Sequence, residues 1–406
     1  MVTRALYQQI WRELAIDKEM VFLAGPRQAG KTTLGKIIAK EFSTSVYCNW
    51  DIPQDRIRLL HNPSFFEEVS RRDASPPLVI FDEIHKYHDW KNYLKGVYDR
   101  FHEDYRFLVS GSGRLDIYQK GGDSLAGRYL LFHLLPFTLA EIGDQRRMFD
   151  EFITEPLSIS MDQAVSLRET WTTLEKFSGF PEPFLAGRST SYNRWSTTYA
   201  RQLIREDIRD LTDVKSVGAV ETLFHLLLSR VGSPASYAGL ARDLGVSPVS
   251  VQNRLGLLER FFLTFSIGPW SARIARAILK ERKVYLFDPP RIKDPGARFE
   301  NMVALELFRA MTNWNDLGLG TFSLHFIKNK DKQEVDFLLA RDNEPILLIE
   351  AKLSETIPSS ALRKFQTDLD VPAVQLTVVG EGFRLFSNGL RKILVAPAWA
   401  WLARLP

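Results

Sequence analysis

"MVFLAGPRQAGKTTLGKIIAKEF", Met20 to Phe42, decides how the front of this chain folds. Met20–Ala24 is an apolar run of the length of one buried strand. Gly25, Gly30, Lys31 and Thr32 then fit G-x-x-x-x-G-K-[ST] with no departure. Leu34, Ile37, Ile38 and Phe42 follow at helical spacing. Strand, glycine-rich loop and helix in that order turn a pattern into a mechanism. The glycines let main-chain N–H groups close around phosphate oxygens at a helix N-terminus. Gly25, Pro26, Arg27, Gln28, Ala29, Gly30, Lys31, Thr32 and Thr33 are therefore the expected cradle for the phosphates of ATP. Lys31 would reach the β- and γ-phosphates, and Thr32 would bind Mg²⁺.

Three further stretches belong with the cradle. "PPLVIFDEIHK" places Leu78–Phe81 as a strand that ends in Asp82 and Glu83. Asp82 is expected to order the magnesium shell, and Glu83 to polarise an attacking water as a general base. That acid pair favours hydrolysis over phosphoryl transfer to a small molecule. "YRFLVSGSGRLDI" offers Ser112 as the polar sensor of the γ-phosphate, with Ser110 second, because ligands collect at the C-terminal ends of parallel strands. "GRYLLFHLLPFTLAEI" reads as another strand, opened by Arg128. An arginine there can stabilise a transferring phosphoryl group, from its own or a neighbouring subunit, or be an ordinary surface cation. With "VYCNWD", residues 46–51, these strands make a parallel sheet with helices on both faces.

The whole chain has 406 residues, which implies two or three domains. Hydrophobic residues make up 45% and charged residues 25%, a globular composition. The 53 Lys and Arg nearly balance the 49 Asp and Glu, so net charge argues neither for nor against nucleic acid. Cys48 is the single cysteine, which excludes an internal disulfide framework and suggests a reducing cytoplasm. The most apolar stretch, "YLLFHLLPFTLA", is too short to span a bilayer and is broken by His133 and Pro136. The N-terminal "MVTRALYQQIWRELA" reads as an amphipathic helix rather than a signal peptide, and no membrane partner is expected.

Residues 151–215 read as helical, and Arg201, Arg205 and Arg209 are spaced to line one helix face. Glu206, Asp207 and Asp210 offset that stripe, which favours a solvated face over a phosphate-binding one. From Ser236 to Trp270, a helix to Leu244, a turn at Gly245 and a second helix capped by Ser247 match a helix-turn-helix. The apolar "FFLTFSI" after it suggests a wing, hence a winged-helix module over 216–290. Ser247–Arg260 carries few groups for DNA, namely Arg254, Arg260, Gln252 and Asn253, so a structural or protein-contacting role stands beside DNA binding.

"EVDFLLARDNEPILLIEAKL", Glu334 to Leu353, reads as a hairpin with a five-residue loop, Arg341–Pro345. Pairing symmetric about Asn343 sets Asp336 opposite Glu350 and Glu334 opposite Lys352. Alternation puts these four with Leu338 and Leu348 on one face, and Val335, Phe337, Leu339, Leu347, Ile349 and Ala351 on the other. Two acids so close repel unless a cation lies between them or one takes a proton. In one reading Asp336 and Glu350 share Mg²⁺ or Mn²⁺, and Lys352 sits beside a scissile phosphate. In the other, Lys352 neutralises Glu334, Glu350 is hydrogen-bonded, and the hairpin is structural. The spacing resembles the PD-(D/E)XK nuclease core, although Val335 stands where that motif has proline. The resemblance implies a further acid on a preceding helix, which "ARFENMVALELFRAM" supplies as Glu300.

The chain as a whole resembles the bacterial and archaeal AAA-like ATPases with a C-terminal domain of unknown function. "AGPRQAGKTTL", "VIFDEIHK", "SGSGRLDI", "DSLAGRYLLFHLLPFTLAEI", "FSGFPEPF", "VYLFDPP", "EVDFLLA" and "LLIEAKL" carry the resemblance in order along nearly the whole chain. Ser178 departs from the usual first glycine of the "GG-P-E" pattern. The resemblance implies ATP binding. The expected architecture is α/β. Residues 1–150 form an additional-strand P-loop ATPase domain and 151–215 a helical lid or linker. Residues 216–290 form the winged-helix module and 291–406 a restriction-endonuclease-like α/β domain. Expected partners are ATP and ADP, with DNA, RNA, a protein or a second copy at the C-terminal part.

Overall fold

The computed structural model describes residues 3–111, 125–162, 164–208, 217–271, 281–354, 356–380 and 382–406. They fall into two compact units, Met1–Pro136 and Phe137–Pro406. Among the described residues no helix is long and apolar enough to cross a membrane.

The first unit opens with α1 (Ala5–Asp17), whose Leu6, Tyr7, Ile10, Trp11 and Leu14 recur at helical spacing and are buried. Then come β1 (Met20–Ala24), α2 (Lys31–Ala39), β2 (Ser45–Asn49), α3 (Pro53–His61), β3 (Leu78–Asp82), α4 (Trp90–Phe101), β4 (Arg106–Ser110) and β5 (Leu130–His133). The five strands lie in the order β2-β3-β4-β1-β5 and every pair is parallel. Strand β4 is thus inserted between the P-loop strand and the strand that ends in Asp82. β1 and β3 are buried at every position, as strands covered on both faces must be. Edge-to-face rings of Phe65, Phe66, Phe81, Phe101, Tyr105 and Phe107 fill one side. The register pairs Leu23 with Ser110 and Ser110 with Asp82, so the loops after β1, β3 and β4 open at one edge of the sheet.

The second unit contains α5 (Ala164–Phe177), α6 (Ser189–Gln202), α7 (Val217–Leu228), β6 (Pro234–Ala235), α8 (Tyr237–Leu244), α9 (Pro248–Arg260), β7 (Thr264–Pro269) and β8 (Arg282–Leu286). They are followed by α10 (Pro295–Asp316), β9 (Phe322–Lys328), β10 (Glu334–Arg341), β11 (Glu344–Lys352), α11 (Ser360–Leu369), β12 (Ala373–Thr377), β13 (Arg384–Asn388) and β14 (Arg391–Pro397). All nine strands form one sheet in the order β13-β14-β12-β11-β10-β9-β7-β8-β6. The seam between β7 and β9 is short, with Gly268 opposite His325 and Pro269 opposite Phe326.

Local chemistry explains the turns. α8 starts at Ser236, whose Oγ accepts the Gly239 N–H, and stops at Gly245 with φ 63°. α9 starts at Ser247, whose Oγ accepts the Ser250 N–H, with Pro248 in the first helical turn. The expected arginine stripe is not one α-helical face. α6 ends at Gln202 and Leu203–Ile208 is a π-helical turn, which shifts Arg205 off the α-helical spacing from Arg201. Arg205 pairs with Glu221 at 2.9 Å, and Arg209 and Asp210 lie outside the described residues.

The hairpin departs from expectation at its turn and on its faces. Phe337, Leu338 and Leu339 face Ile349, Leu348 and Leu347 as the symmetric register requires. Arg341 then pairs with Glu344, so the loop is only Asp342 and Asn343, both with positive φ (53° and 66°), and not Arg341–Pro345. Asp and Asn tolerate that conformation, which suits a two-residue hairpin turn. Leu339 opposite Leu347 and Ala340 opposite Pro345 leave Ile346 as a bulge. A second irregularity against β9 falls between Val335 and Leu338 and breaks the alternation. Val335 therefore joins Leu338, Ala340 and Leu348 in one core cluster with Leu362 and Phe365 of α11, instead of opposing Leu338.

Candidate active site

In the first unit the cradle has the conformation its glycines were expected to allow. Gly25 has φ 145°, and a Cβ there would lie 2.2 Å from the carbonyl oxygen of Leu134, so only glycine fits. Gly30 has φ 98° and caps α2. Lys31 Nζ donates to the carbonyls of Gly25 at 3.0 Å and Pro26 at 2.7 Å. Lys31 is buried, and burial brings its pKa down to about 8, against the pull of Glu83 and Asp82. Arg4, absent from the sequence expectations, holds the loop from behind by donating to Ala29 O at 2.9 Å and Leu135 O at 2.7 Å.

Asp82 is the hub of the site. It is 1% exposed and accepts from Thr32 Oγ1 at 2.7 Å, from Tyr47 Oη at 2.7 Å, and from Ser110 Oγ. Burial and the bond to Asp82 hold the Tyr47 phenol protonated well above its ordinary range. Thr32 and Asp82 together offer hard oxygen donors beside a helix N-terminus, which fits Mg²⁺. Magnesium bound there would neutralise phosphate charge. Glu83 follows with φ 56°, a left-handed conformation uncommon outside glycine. Its N–H donates to Ser110 O at 2.9 Å, and its carboxylate lies 3.1 Å from Lys86 Nζ and 3.6 Å from His85 Nε2. Lys86 also holds Asp51 at 2.5 Å. Tyr47, Lys86 and Asp51 were not singled out in the sequence: the β2–β3 register brings Tyr47 to Asp82, whereas Lys86 reaches Glu83 from three residues on in the turn after β3.

Two expected contributors stand apart from this group. Ser112 lies outside the described residues. Arg128 precedes Leu130, which pairs with Val21, whereas the P-loop follows Ala24, which pairs with His133. Arg128 is therefore at the other end of the sheet, roughly 20 Å from the cradle along the strands. There it donates to Asp99 at 2.6 Å, and Lys18 Nζ donates to the neighbouring Gly127 O at 3.0 Å. Within its own chain Arg128 does not join the cradle.

In the second unit two of the predicted acids, Glu300 and Asp336, converge, together with Glu334, around a lysine that the sequence did not point to. Lys283 of β8 is 1% exposed. Its Nζ lies 2.7 Å from Glu334, 3.1 Å from Glu300 and 3.5 Å from Asp336. Burial disfavours the ammonium, but Glu300, Asp336 and Glu334 overcome that and hold its pKa above the ordinary lysine value. Glu300 also accepts from Tyr285 Oη at 2.7 Å, and burial with the nearby Asp336 raises its pKa. Asp336 accepts the Ala351 N–H at 3.0 Å. Glu334 pairs with Lys328 at 2.8 Å and not with Lys352. Lys352 instead lies 3.1 Å from Glu350, whose other oxygen accepts from Ser359 Oγ at 2.6 Å. Glu350 is 2% exposed and burial raises its pKa. A divalent ion shared by Asp336, Glu350 and Glu300 does not fit this arrangement. The Lys283 ammonium lies among the acids, and Glu350 is turned to Ser359 and Lys352. Among the described residues no group of three or more His, Cys, Asp or Glu could hold a metal ion.

Comparison with known proteins agrees with the first unit. The model of a family described as "AAA domain" matches residues 17–143. These residues are similar to an AAA domain. Models of two domains of unknown function, DUF8612 and DUF4143, match residues 168–290 and 295–399. An uncharacterized protein of Mycobacterium tuberculosis is 24% identical over 89% of this chain and 77% of its own length. One of Methanocaldococcus jannaschii is 24% identical over 67% of this chain and 61% of its own length. Among solved structures, the Walker-type ATPase paby2304 of Pyrococcus abyssi is 15% identical at a TM-score of 0.45, covering 72% of this chain and 95% of that one. The residues matched by the AAA model include the cradle, Asp82 and Glu83.

Proposed function

We propose that this chain is a Mg²⁺-dependent ATPase whose nucleotide state controls its second unit. The observation that carries the reading is the Asp82 hub, which joins Thr32 of the cradle to Ser110 and stands next to Glu83. Main-chain N–H groups of Gly25–Thr33 bind the phosphates, and Lys31 leaves its carbonyl partners for the γ-phosphate. Asp82 and Thr32 hold the metal, and Glu83 takes the proton of the attacking water. A general base contributes about 10²–10⁴-fold in rate. Glu83→Gln should therefore lower ATP turnover by at least about 100-fold while ATP still binds. Retained turnover in that variant, measured as released phosphate, would refute the role of Glu83.

For the second unit the finer division is 151–215 as a lid or linker, 216–290 as a winged-helix module and 291–406 as a nuclease-like domain. The helix-turn-helix of α8 and α9 with strands β6–β8 supports the middle assignment. Two activities remain for the last part, cleavage of DNA or RNA and a switch or scaffold that binds a protein partner. The buried Lys283 among the acids favours the scaffold. Incubation with linear, nicked and branched DNA and with RNA, in Mg²⁺ or Mn²⁺, with and without ATP, tests this. Cleavage abolished by both Asp336→Ala and Glu350→Ala would reverse the preference.

A further inference from the structure

We infer that Lys283 is the resident cation of the carboxylate cluster in the second unit. It occupies the place of a divalent metal and ties strand β8 to the hairpin and to α10. The inference deepens the scaffold reading and is independent of ATP turnover.

The geometry is that of a cation site already filled. One ammonium has three donors, and three carboxylates from two segments surround it. Glu300 comes from α10, while Glu334 and Asp336 come from β10. Each acid keeps a second partner that fixes its position: Tyr285 Oη for Glu300, Lys328 for Glu334 and the Ala351 N–H for Asp336. The ring of Phe326 lies 5.5 Å from Nζ and closes another side. A hydrated divalent ion needs about six oxygen ligands at close to 2.1 Å, and it would have to displace an ammonium that is already charge-matched. Counting charges, Lys283, Lys328 and Lys352 face Glu300, Glu334, Asp336 and Glu350. Three of the four negative charges are therefore balanced from within the chain, which leaves little for a metal to neutralise.

The tie also explains why β8 can sit inside a continuous sheet. The bridge of β7 to β9 has only two registered pairs. The lysine adds a polar anchor across the same junction, from β8 to β10, and truncating one partner of such a buried group leaves the others uncompensated.

The test uses full-length, nucleotide-free protein and Mn²⁺ alone as the probe. Bound Mn²⁺ per chain is counted by electron paramagnetic resonance for the wild type and for Asp336→Asn. The expected result is the same count in both. One ion fewer in Asp336→Asn would overturn the inference, because a metal would then be using that carboxylate. A second measurement reads the ammonium itself. Lys283→Met should lower the thermal midpoint by about 10 °C or more, and Lys283→Met combined with Asp336→Asn should regain part of that loss. Equal midpoints for wild type and Lys283→Met would also overturn it. If Lys283→Met does not fold, the Mn²⁺ count still decides. Both readouts compare second-unit variants with the wild type and need no ATP turnover, so the two readings fail separately.

Discussion

Replacing Lys31 by methionine should make the nucleotide-free protein more stable while removing its function. The side chain is buried, and burial brings the ammonium from 10.5 down to about 8. Below pH 8 both folded and unfolded states hold the proton, so the whole cost of burying that charge is present. Between about 8 and 10.5 the unfolded state binds the extra proton, and stability rises with pH. At one unit per 1.36 kcal/mol, the cost at pH 7 is about 3 kcal/mol. Methionine has similar reach and no charge, but it gives up the bonds to Gly25 O and Pro26 O. Those are worth about 1 kcal/mol each, which leaves a net gain of about 1–2 kcal/mol, or several degrees in the melting midpoint. The assay is thermal unfolding at pH 7 with and without Mg²⁺-ATP. Without nucleotide the variant should melt higher. With ATP at about 100 times its Kd, the wild type gains about 2.7 kcal/mol and the variant gains nothing. A variant that melts lower than the wild type without nucleotide would refute the burial argument. A variant that ATP still stabilises would refute the role of Lys31.

Other perturbations separate the parts of the molecule. Gly25→Ala puts a methyl against Leu134 O in a conformation that alanine avoids. It should cost about 1–3 kcal/mol in denaturant unfolding and at least tenfold in ATP affinity. Lys86→Met releases Glu83 from its partly exposed ion pair. Such pairs are worth up to about 1 kcal/mol, so ATP turnover should rise up to about fivefold with ATP affinity unchanged; a fall would show that Lys86 places Glu83 for catalysis. Glu306 of α10 is buried, accepts the Leu139 N–H at 2.6 Å, and burial raises its pKa from 4.5 to about 7. The folded state keeps that proton where the unfolded state loses it, so stability falls as pH rises from about 4.5 to 7 and stays low above. Glu306→Gln should flatten that decline and be more stable at pH 8 by up to about 3 kcal/mol in urea titrations. Parallel pH curves for both proteins would refute it.

The parts of this protein legible in the sequence are those in which neighbours along the chain do the work. Gly25 to Thr32 dictate a loop and a helix start by their own torsions and donors, and the match to an AAA domain falls there. Asp82 and Glu83 follow from the apolar run before them. Ser236 and Ser247 announce their helices because a cap is a contact three residues long. Even the hairpin register from Phe337 to Leu339 could be read, since period-2 side chains permit few alternatives. The turn could not, because Asp342 and Asn343 take positive φ and the strands absorb the difference in a bulge.

What tertiary structure decided is which distant groups meet. Arg128 looks suited to a phosphate, yet the β5 to β1 register sets it at the far end of the sheet. Tyr47 reaches Asp82 across β2 and β3, a pairing of strands that no spacing in the chain announces. Asp336 and Glu350 carry the spacing of a metal site, and the decisive residue, Lys283, arrives from another strand 53 positions before Asp336. Local motifs specify conformation because torsions and caps are short-range. The charge state of a buried cluster depends on every group within a few ångströms, and only the folded sheet chooses those.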